Sequence, residues 1–494
     1  MPGHAGSRPR FASLSHEHAL LLALVIFAAV LRFSTLGLQS FDLDESVTVA
    51  LLHRGFHGML ATIPKTESTP PVYYVLAWLW TKLFGLNEIG LRSLSALFGT
   101  LMIPLAYDVA ARLASRRAGL LAAALTAVSP WLIWYSQEAR AYALFAFLSL
   151  ASFALFVRAL DAPKKGVLAG WAALAALSLA THYFAIFMVL PEAAWLLLQT
   201  RPRRRAAIAS AFAGTVGVAL LPLALHQAHG IEGKAGFLQT PLSSRITSIP
   251  TRFLLGEAAP TSSKILLVAA TGLLAAAGVV LLFWSADRAR QDRVRIALSI
   301  GAAPVVVSIT LALFGRDYLD ARNLIGAWVP LAIVVAAGFA YARRAGLVAI
   351  SALVSVFFAM VVVGDVDTAV QRTDYRGVAT ALGPSPGRGQ RAIVLTPAFN
   401  WTPLAYYLPE DPRLSSGDVG VREIDLIGWQ STTLRRRTVN YLSRRGFRFT
   451  QDRVVQKLRL VRFLAPHIVS ISRSDLVASR LGHSAATVLI QASR

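Results

Sequence analysis

Three carboxylates stand within four residues at Asp42-Leu43-Asp44-Glu45, just past the first apolar segment of the chain. A carboxylate at the edge of a low-dielectric phase is costly to keep charged unless it is paired or used. Its raised basicity there suits it to take a proton from a hydroxyl. The same residues also fit a helix N-cap, with Asp42 or Asp44 opening a helix through 46–50 and Glu45 in its first turn. The two readings are compatible, because a helix N-terminus would fix the carboxylate in place. A second polar set follows the Trp- and Tyr-rich stretch Ser129-Pro130-Trp131-Leu132-Ile133-Trp134-Tyr135-Ser136-Gln137-Glu138-Ala139-Arg140-Ala141-Tyr142. The forked guanidinium of Arg140 suits a phosphate, and equally a cation snorkelling from an aromatic belt. A third set is Arg316, Asp317, Tyr318, Asp320 and Arg322, able to clamp a phosphate from another side or to pair internally. Arg32, His182 and Tyr183 add polar groups at the ends of apolar runs, and Glu192 lies within one, where an acid is a functional candidate by default.

Membrane segments must position these groups. The 494 residues are 55% hydrophobic and only 15% charged, with a mean hydropathy of +0.55, outside the range of soluble domains. Eleven apolar runs are long enough to be read as spans, at 18–36, 91–112, 118–136, 140–159, 167–182, 183–199, 206–226, 263–284, 295–314, 323–341 and 345–363. The net charge of +23 does not point to nucleic acid, because the arginines gather in short loops between the runs and in the C-terminal region. By the positive-inside rule, Arg112/Arg116/Arg117, Arg158/Lys164/Lys165, Arg201/Arg203/Arg204/Arg205, Arg288/Arg290/Arg293/Arg295 and Arg343/Arg344 belong on the cytoplasmic side. Arg8 and Arg10 precede the first run, which is expected to be an uncleaved span with its N-terminus inside. The short run 70–86, opening Pro70-Pro71 and rich in Tyr and Trp, is expected as a juxtamembrane helix rather than a span. The three polar sets then share the outer face of a cytoplasmic membrane. With no cysteine, disulfides and thiolate metal sites are excluded.

The expected fold class is an all-α polytopic membrane domain over 1–364, with a first outer loop at 37–90, followed by a small extracytoplasmic α/β domain over 365–494. The C-terminal region carries 19 basic residues against 10 acids from Asp365 on, which suits anionic headgroups, an anionic glycan or a solvated basic surface. Runs 392–395 and 458–463 read as strands, and 376–382 and 432–442 as helices.

Four motifs in order are familiar together: Leu43-Asp44-Glu45 after the first span, Pro70-Pro71-Val72-Tyr73-Tyr74, the Ser129 to Tyr142 stretch, and Thr181-His182-Tyr183. Over about residues 15–345 the chain resembles the polyprenyl-phosphate-dependent GT-C glycosyltransferases, in particular the bacterial branch related to protein mannosyltransferases and lipid A aminoarabinose transferases. The resemblance implies an inverting transfer of a sugar from a polyprenyl-phosphate carrier to an acceptor hydroxyl on a glycan, glycolipid or protein. It places the catalytic base on Asp44 with Glu45 beside it. Asp42, Glu138, Arg140, Tyr142, His182, Tyr183, Arg316, Tyr318 and Arg322 are then the substrate-binding candidates. Relatives often carry histidine or lysine before the Pro-Pro pair, where this chain has Thr69. No fixed ligand spacing assigns a metal site, and a divalent cation bridging phosphate and carboxylate is left open. A transporter or lipid flippase is the alternative class, and it predicts broken helices, ionisable groups near the midplane and a repeat relation between halves.

Overall fold

A computed structural model describes residues 16–231, 240–260, 262–384, 390–408, 412–415 and 417–491. Arg8, Arg10 and part of the loop 227–262 lie outside them. Seventeen α-helices precede the C-terminal domain: α1 His16–Phe33, α2 Leu43–Leu52, α3 Gly55–Thr66, α4 Val72–Phe84, α5 Glu88–Leu113, α6 Arg116–Val128, α7 Pro130–Ser136, α8 Tyr142–Asp161, α9 Lys165–Leu179, α10 Ile186–Gln199, α11 Arg203–Ala219, α12 Leu221–Ile231, α13 Leu242–Leu255, α14 Lys264–Ser285, α15 Arg288–Leu313, α16 Trp328–Tyr341 and α17 Arg343–Val366. Among the described residues, eight stretches are long and apolar enough to cross a membrane, and nine if the bent pair α6–α7 is one span. The expected count was eleven; the two remaining runs form the shorter apolar helices Lys165–Leu179 and Tyr183–Gln199. The expected juxtamembrane helix is α4, whose 13 residues reach about 20 Å against a hydrocarbon core of about 30 Å.

The bundle has a centre and a periphery. α8 and the stretch Ala321–Tyr341 are 78% and 83% buried, whereas α1 and α14 are 11% and 17% buried and present apolar side chains such as Ile26, Ile265 and Leu273 outward. Apolar surface of this extent is unfavourable in water and suits lipid tails around it. The 26 residues of α5, about 39 Å of helix, join the two ends of the bundle. At the Arg112 end the basic clusters meet: Arg158 pairs with Asp108, Arg293 with Asp161, and Arg117 reaches the Arg343 carbonyl. The polar sets of interest lie at the Arg92 end.

After α17 the chain forms a six-stranded sheet, β1 Gln390–Leu395, β2 Arg413–Leu414, β3 Val419–Trp429, β4 Arg448–Val455, β5 Leu458–Ile471 and β6 Thr487–Gln491, in the order β2-β6-β1-β3-β5-β4. Among the described residues β1 and β3 pair in parallel, with Ala392 opposite Ile424, and the other described pairs are antiparallel. Helices Tyr375–Leu382 and Arg436–Arg444 accompany it, one residue and four residues from the expected starts. The C-terminal domain sits on the segment just before Asp42. Ser40 Oγ donates to the Thr373 carbonyl at 2.9 Å, the Phe41 N–H donates to Tyr407 Oη at 2.6 Å, and Arg376 donates to the Gly37 and Leu38 carbonyls.

Candidate active site

The acidic triplet divides its labour. Asp42 is the N-cap of α2 in a capping box: its carboxylate accepts from the first turn of the helix, and Glu45 accepts from the Asp42 N–H at 3.1 Å. Glu45 is wholly buried and saturated. Arg92 of α5 grips both its oxygens, Nε to Oε1 at 2.7 Å and Nη2 to Oε2 at 2.6 Å, and the Ala139 N–H donates to Oε1 at 2.9 Å. Burial alone would raise the Glu45 carboxyl, but Arg92 overrides it and holds it below the ordinary range. Glu45 thus ties the start of α2 to α5 and to the 137–141 turn. The remaining acid, Asp44, is left to face a cavity.

That cavity has a volume of about 660 Å³ and is lined at one end by Asp44, Glu67, Arg140, Tyr142, His182 and Arg322. Its other walls are largely apolar, with Phe184, Ile186, Phe187, Leu225 and Leu311. Arg322 Nη1 donates to Asp44 Oδ2 at 2.8 Å and its Nε lies 3.0 Å from Asp320. The Asp44 side chain is 41% exposed, and that exposure is to the sunken cavity rather than to bulk water. Burial pushes its carboxyl up, but Arg322 and Arg140 outweigh burial and hold it below the usual carboxylate range. Arg140 Nη1 donates to Glu67 Oε2 at 2.9 Å and to Thr48 Oγ1 at 3.2 Å, while Glu67 also receives the Tyr74 hydroxyl. The Arg322 guanidinium lies over the Tyr142 ring, 5.7 Å from its centre.

Local sequence explains how these groups converge. Pro130 ends α6 and opens α7 with Ser129 as its cap, and the two helices bend by 56°. Carbonyls freed at the end of α6 are taken by the buried Arg32, which donates to Thr126 O at 3.0 Å and Ala127 O at 2.9 Å. Gly99 lets α5 press on this corner, since a Cβ there would fall 2.0 Å from Ser136 Oγ. The bend delivers 137–141 to the cavity. The turn 316–322 is held by Arg245, which pairs with Asp317 and donates to the Leu319 carbonyl at 2.8 Å.

The structure therefore brings Asp44, Arg140, Tyr142, His182, Tyr183, Arg316, Tyr318 and Arg322 to one cavity. Arg316 and Tyr318 are exposed on its rim. His182 caps a short 3₁₀ turn, accepting from the Phe184 N–H, and stacks on Phe145 with centroids 4.7 Å apart. Burial and the two arginines push its pKa down to about 3, so the ring is neutral. Tyr183 donates to Gln227 Oε1 at 2.7 Å. Asp42, Glu45 and Glu138 do not line this cavity; with Asp44, Arg322 and Asp320 they line a second, smaller chamber of about 290 Å³. Burial raises Glu138 to about 7, against the pull of Arg372. Glu192 belongs to neither, being buried between helices where Trp171 Nε1 donates to it at 2.7 Å and Ser152 Oγ at 3.2 Å. Sequence reading passed over Glu67, Arg92 and Arg372. Glu67 had a signal, standing just before Ser68-Thr69-Pro70-Pro71, whereas Arg92 reads as an ordinary span-end arginine. Among the described residues no three carboxylates or histidines are grouped to hold a metal ion.

Comparison with known proteins bears on this arrangement. Residues 68–226 match the family model described as dolichyl-phosphate-mannose-protein mannosyltransferase. No curated protein matches the chain by sequence. Among solved structures, apo ArnT from Cupriavidus metallidurans is similar with a TM-score of 0.56 at 14% identity, over 91% of this chain and 98% of that one. ArnT from the same organism bound to undecaprenyl phosphate gives 0.53 at 11% identity, over 90% and 98%. The apo oligosaccharyltransferase from Archaeoglobus fulgidus gives 0.49 at 12% identity, over 75% of this chain and 58% of that longer one. The family model covers about a third of the chain, and over nine-tenths of its length the chain shares its overall fold with the two ArnT structures.

Proposed function

We propose that the chain is an inverting glycosyltransferase that moves a sugar from a polyprenyl-phosphate carrier to an acceptor hydroxyl, with Asp44 as the base. The observation that carries this reading is the position of Asp44, at the meeting of two arginines and an apolar-walled cavity. A lipid phosphate needs positive charge at one end and an apolar path at the other, and this cavity has both. Further support comes from the similarly folded ArnT, which has been solved with undecaprenyl phosphate.

In the reaction, the acceptor O–H gives its proton to the Asp44 carboxylate as its oxygen bonds to the anomeric carbon. The bond from that carbon to the phosphate oxygen breaks, and its electron pair leaves with the phosphate. Phosphate is already a good leaving group, so the protein supplies charge rather than a strong acid. Attack from the face opposite the phosphate inverts the anomeric centre. Arg322 is shared between these roles. With the cavity empty it holds Asp44 at 2.8 Å and keeps it a weak base. An arriving phosphate competes for the same guanidinium, and releasing Asp44 from it raises the carboxylate's basicity once the donor is in place.

The basic clusters at the Arg112 end orient this end of the bundle away from the cytoplasm by the positive-inside rule. The site then opens on the outer face of the cytoplasmic membrane, with the C-terminal domain beside it. The acceptor is a cell-envelope glycan, a glycolipid or a protein. The reading is tested by offering purified protein a radiolabelled sugar on a polyprenyl phosphate or on a nucleotide. Label should leave the lipid carrier alone, with inversion at the product's anomeric carbon; transfer from the nucleotide but not from the lipid would rule the reading out.

A further inference from the structure

The smaller chamber shares Asp44, Asp320 and Arg322 with the donor cavity and is otherwise built from different residues. Asp42, Glu138 and Glu257 face into it, with the rings of Trp134 and Tyr135. One wall comes from far along the chain. Arg372 follows the last membrane helix, and its backbone N–H is fixed by Gln39 Oε1 at 2.8 Å. Its guanidinium lies 4.2 Å from the centre of the Trp134 ring, donates to the Gln137 carbonyl at 3.1 Å, and meets Glu138 at 3.4 Å. The Ser40 and Tyr407 contacts hold the C-terminal domain where it presents this arginine.

The two spaces differ in charge although they meet at one carboxylate. Three acids and four basic residues line the donor cavity, whereas six acids and three arginines line the smaller chamber; with Glu45 neutralised by Arg92 behind the wall, five acids still face three arginines there. An anion is therefore drawn to the first and repelled by the second, and the low-dielectric walls strengthen that contrast. At about 290 Å³ the chamber is at the small end of ligand sites, with room for a single ring-sized group. Carboxyl and guanidinium groups on several sides offer hydrogen bonds to hydroxyls, and among the described residues the lining is polar apart from the Trp134 and Tyr135 rings, which suits a sugar ring better than a lipid tail.

We infer that this chamber is the acceptor site, that it takes one neutral or amino-bearing sugar ring in preference to an anionic one, and that Arg372 of the C-terminal domain is a specificity-determining residue for it. The inference rests on the glycosyltransferase reading above. The ring's hydroxyl lies on the side of Asp44 away from the donor phosphate, so its proton passes to Asp44 across the boundary between the two spaces. Arg372 sets how much negative charge Glu138 presents to the ring.

The full chain in lipid nanodiscs tests this with soluble probes: a neutral methyl hexoside, the methyl glycoside of a hexosamine, a methyl hexuronide, and a serine/threonine peptide. Binding of each is measured by ligand-observed NMR with the donor cavity empty and then filled with polyprenyl phosphate. The neutral and amino glycosides should bind at least tenfold more tightly than the hexuronide and should remain bound with polyprenyl phosphate present. Arg372→Lys and Glu138→Gln should each weaken neutral-glycoside binding severalfold while polyprenyl-phosphate affinity stays within twofold. Equal or tighter binding of the hexuronide, displacement of glycosides by polyprenyl phosphate, or binding of the peptide in their place would each overturn the inference. Those comparisons use the wild-type chain, so they stand even where a variant folds poorly. Failure of polyprenyl phosphate itself to bind would instead strike the glycosyltransferase reading.

Discussion

Glu45→Gln separates a carboxylate that performs chemistry from one that holds another in place. Both partners of the Glu45–Arg92 pair are essentially sealed, their side chains 0% and 1% exposed, and two charge-assisted hydrogen bonds of 2.7 and 2.6 Å join them. Removing one charge leaves the Arg92 guanidinium buried without its counterion, which costs about 3–5 kcal/mol. The glutamine also turns an amide donor toward an arginine that can only donate. An unfolding entropy of roughly 2 cal/mol/K per residue gives about 1 kcal/mol/K for 494 residues, so the melting temperature should fall by about 3–5 °C. Thermal unfolding of the purified protein, followed by intrinsic tryptophan fluorescence, reads this directly. The double variant Glu45→Gln/Arg92→Met removes the uncompensated charge and should recover part of the loss, the remainder being what the Leu36, Gln39 and Ser40 carbonyls lose with Arg92. Transfer activity should fall in the single variant, since Asp44 rides on the same first turn. An unchanged melting temperature with abolished transfer would refute the reasoning and put Glu45 in the chemical step.

Three further expectations follow from the same geometry. Glu138 stands at about 7 against an ordinary 4.5 because burial outweighs Arg372, with Glu45 and Asp44 repelling its charge further and Arg322 adding some attraction. Between those values the folded chain keeps a proton that the unfolded chain has released, so this contribution is intact below about pH 4.5 and lost as pH rises through 7, by up to about 3 kcal/mol; Glu138→Gln should flatten the melting temperature between pH 5 and pH 8. Gly99→Ala would drive a methyl against Ser136 Oγ and Arg32 Nε, a clash worth about 1–3 kcal/mol, visible as a lower melting temperature and lost transfer together. Arg140→Lys keeps the charge but cannot span Glu67, Thr48 and the donor phosphate at once, and kcat/KM should drop by about 10²-fold or more with the melting temperature little changed.

The membrane architecture was legible because hydropathy acts locally on the chain, whereas the bend at Ser129-Pro130 was not, since 118–136 reads as one apolar run. Asp44, Arg140 and Arg322 were legible as charges at span ends, a placement that bilayer energetics makes conspicuous. Their pairing was not, because Arg322 and Asp44 are 278 residues apart and nothing in either neighbourhood marks the other. The same blindness hid Glu45's role: its partner Arg92 lies inside a later span and looks like a topology signal. Arg372 was further out of reach, 234 residues from Glu138 and past the last span, in a region whose many arginines read as a basic surface. The span count is the part that length decides: of the eleven expected runs, α9 and α10 form helices shorter than a straight span, yet both are apolar and present Leu177, Leu190 and Leu198 outward.

The central claim is that Asp44 is the base and that the arginines, not Asp44, hold the donor. The most direct measurement pairs polyprenyl-phosphate binding with single-turnover sugar transfer in Asp44→Asn, an isosteric change that keeps a group beside Arg322. The account predicts donor affinity equal to or tighter than wild type, since Arg322 Nη1 is no longer held by the Asp44 carboxylate, together with transfer reduced by about 10²-fold or more. Transfer at the wild-type rate from the bound donor would contradict it.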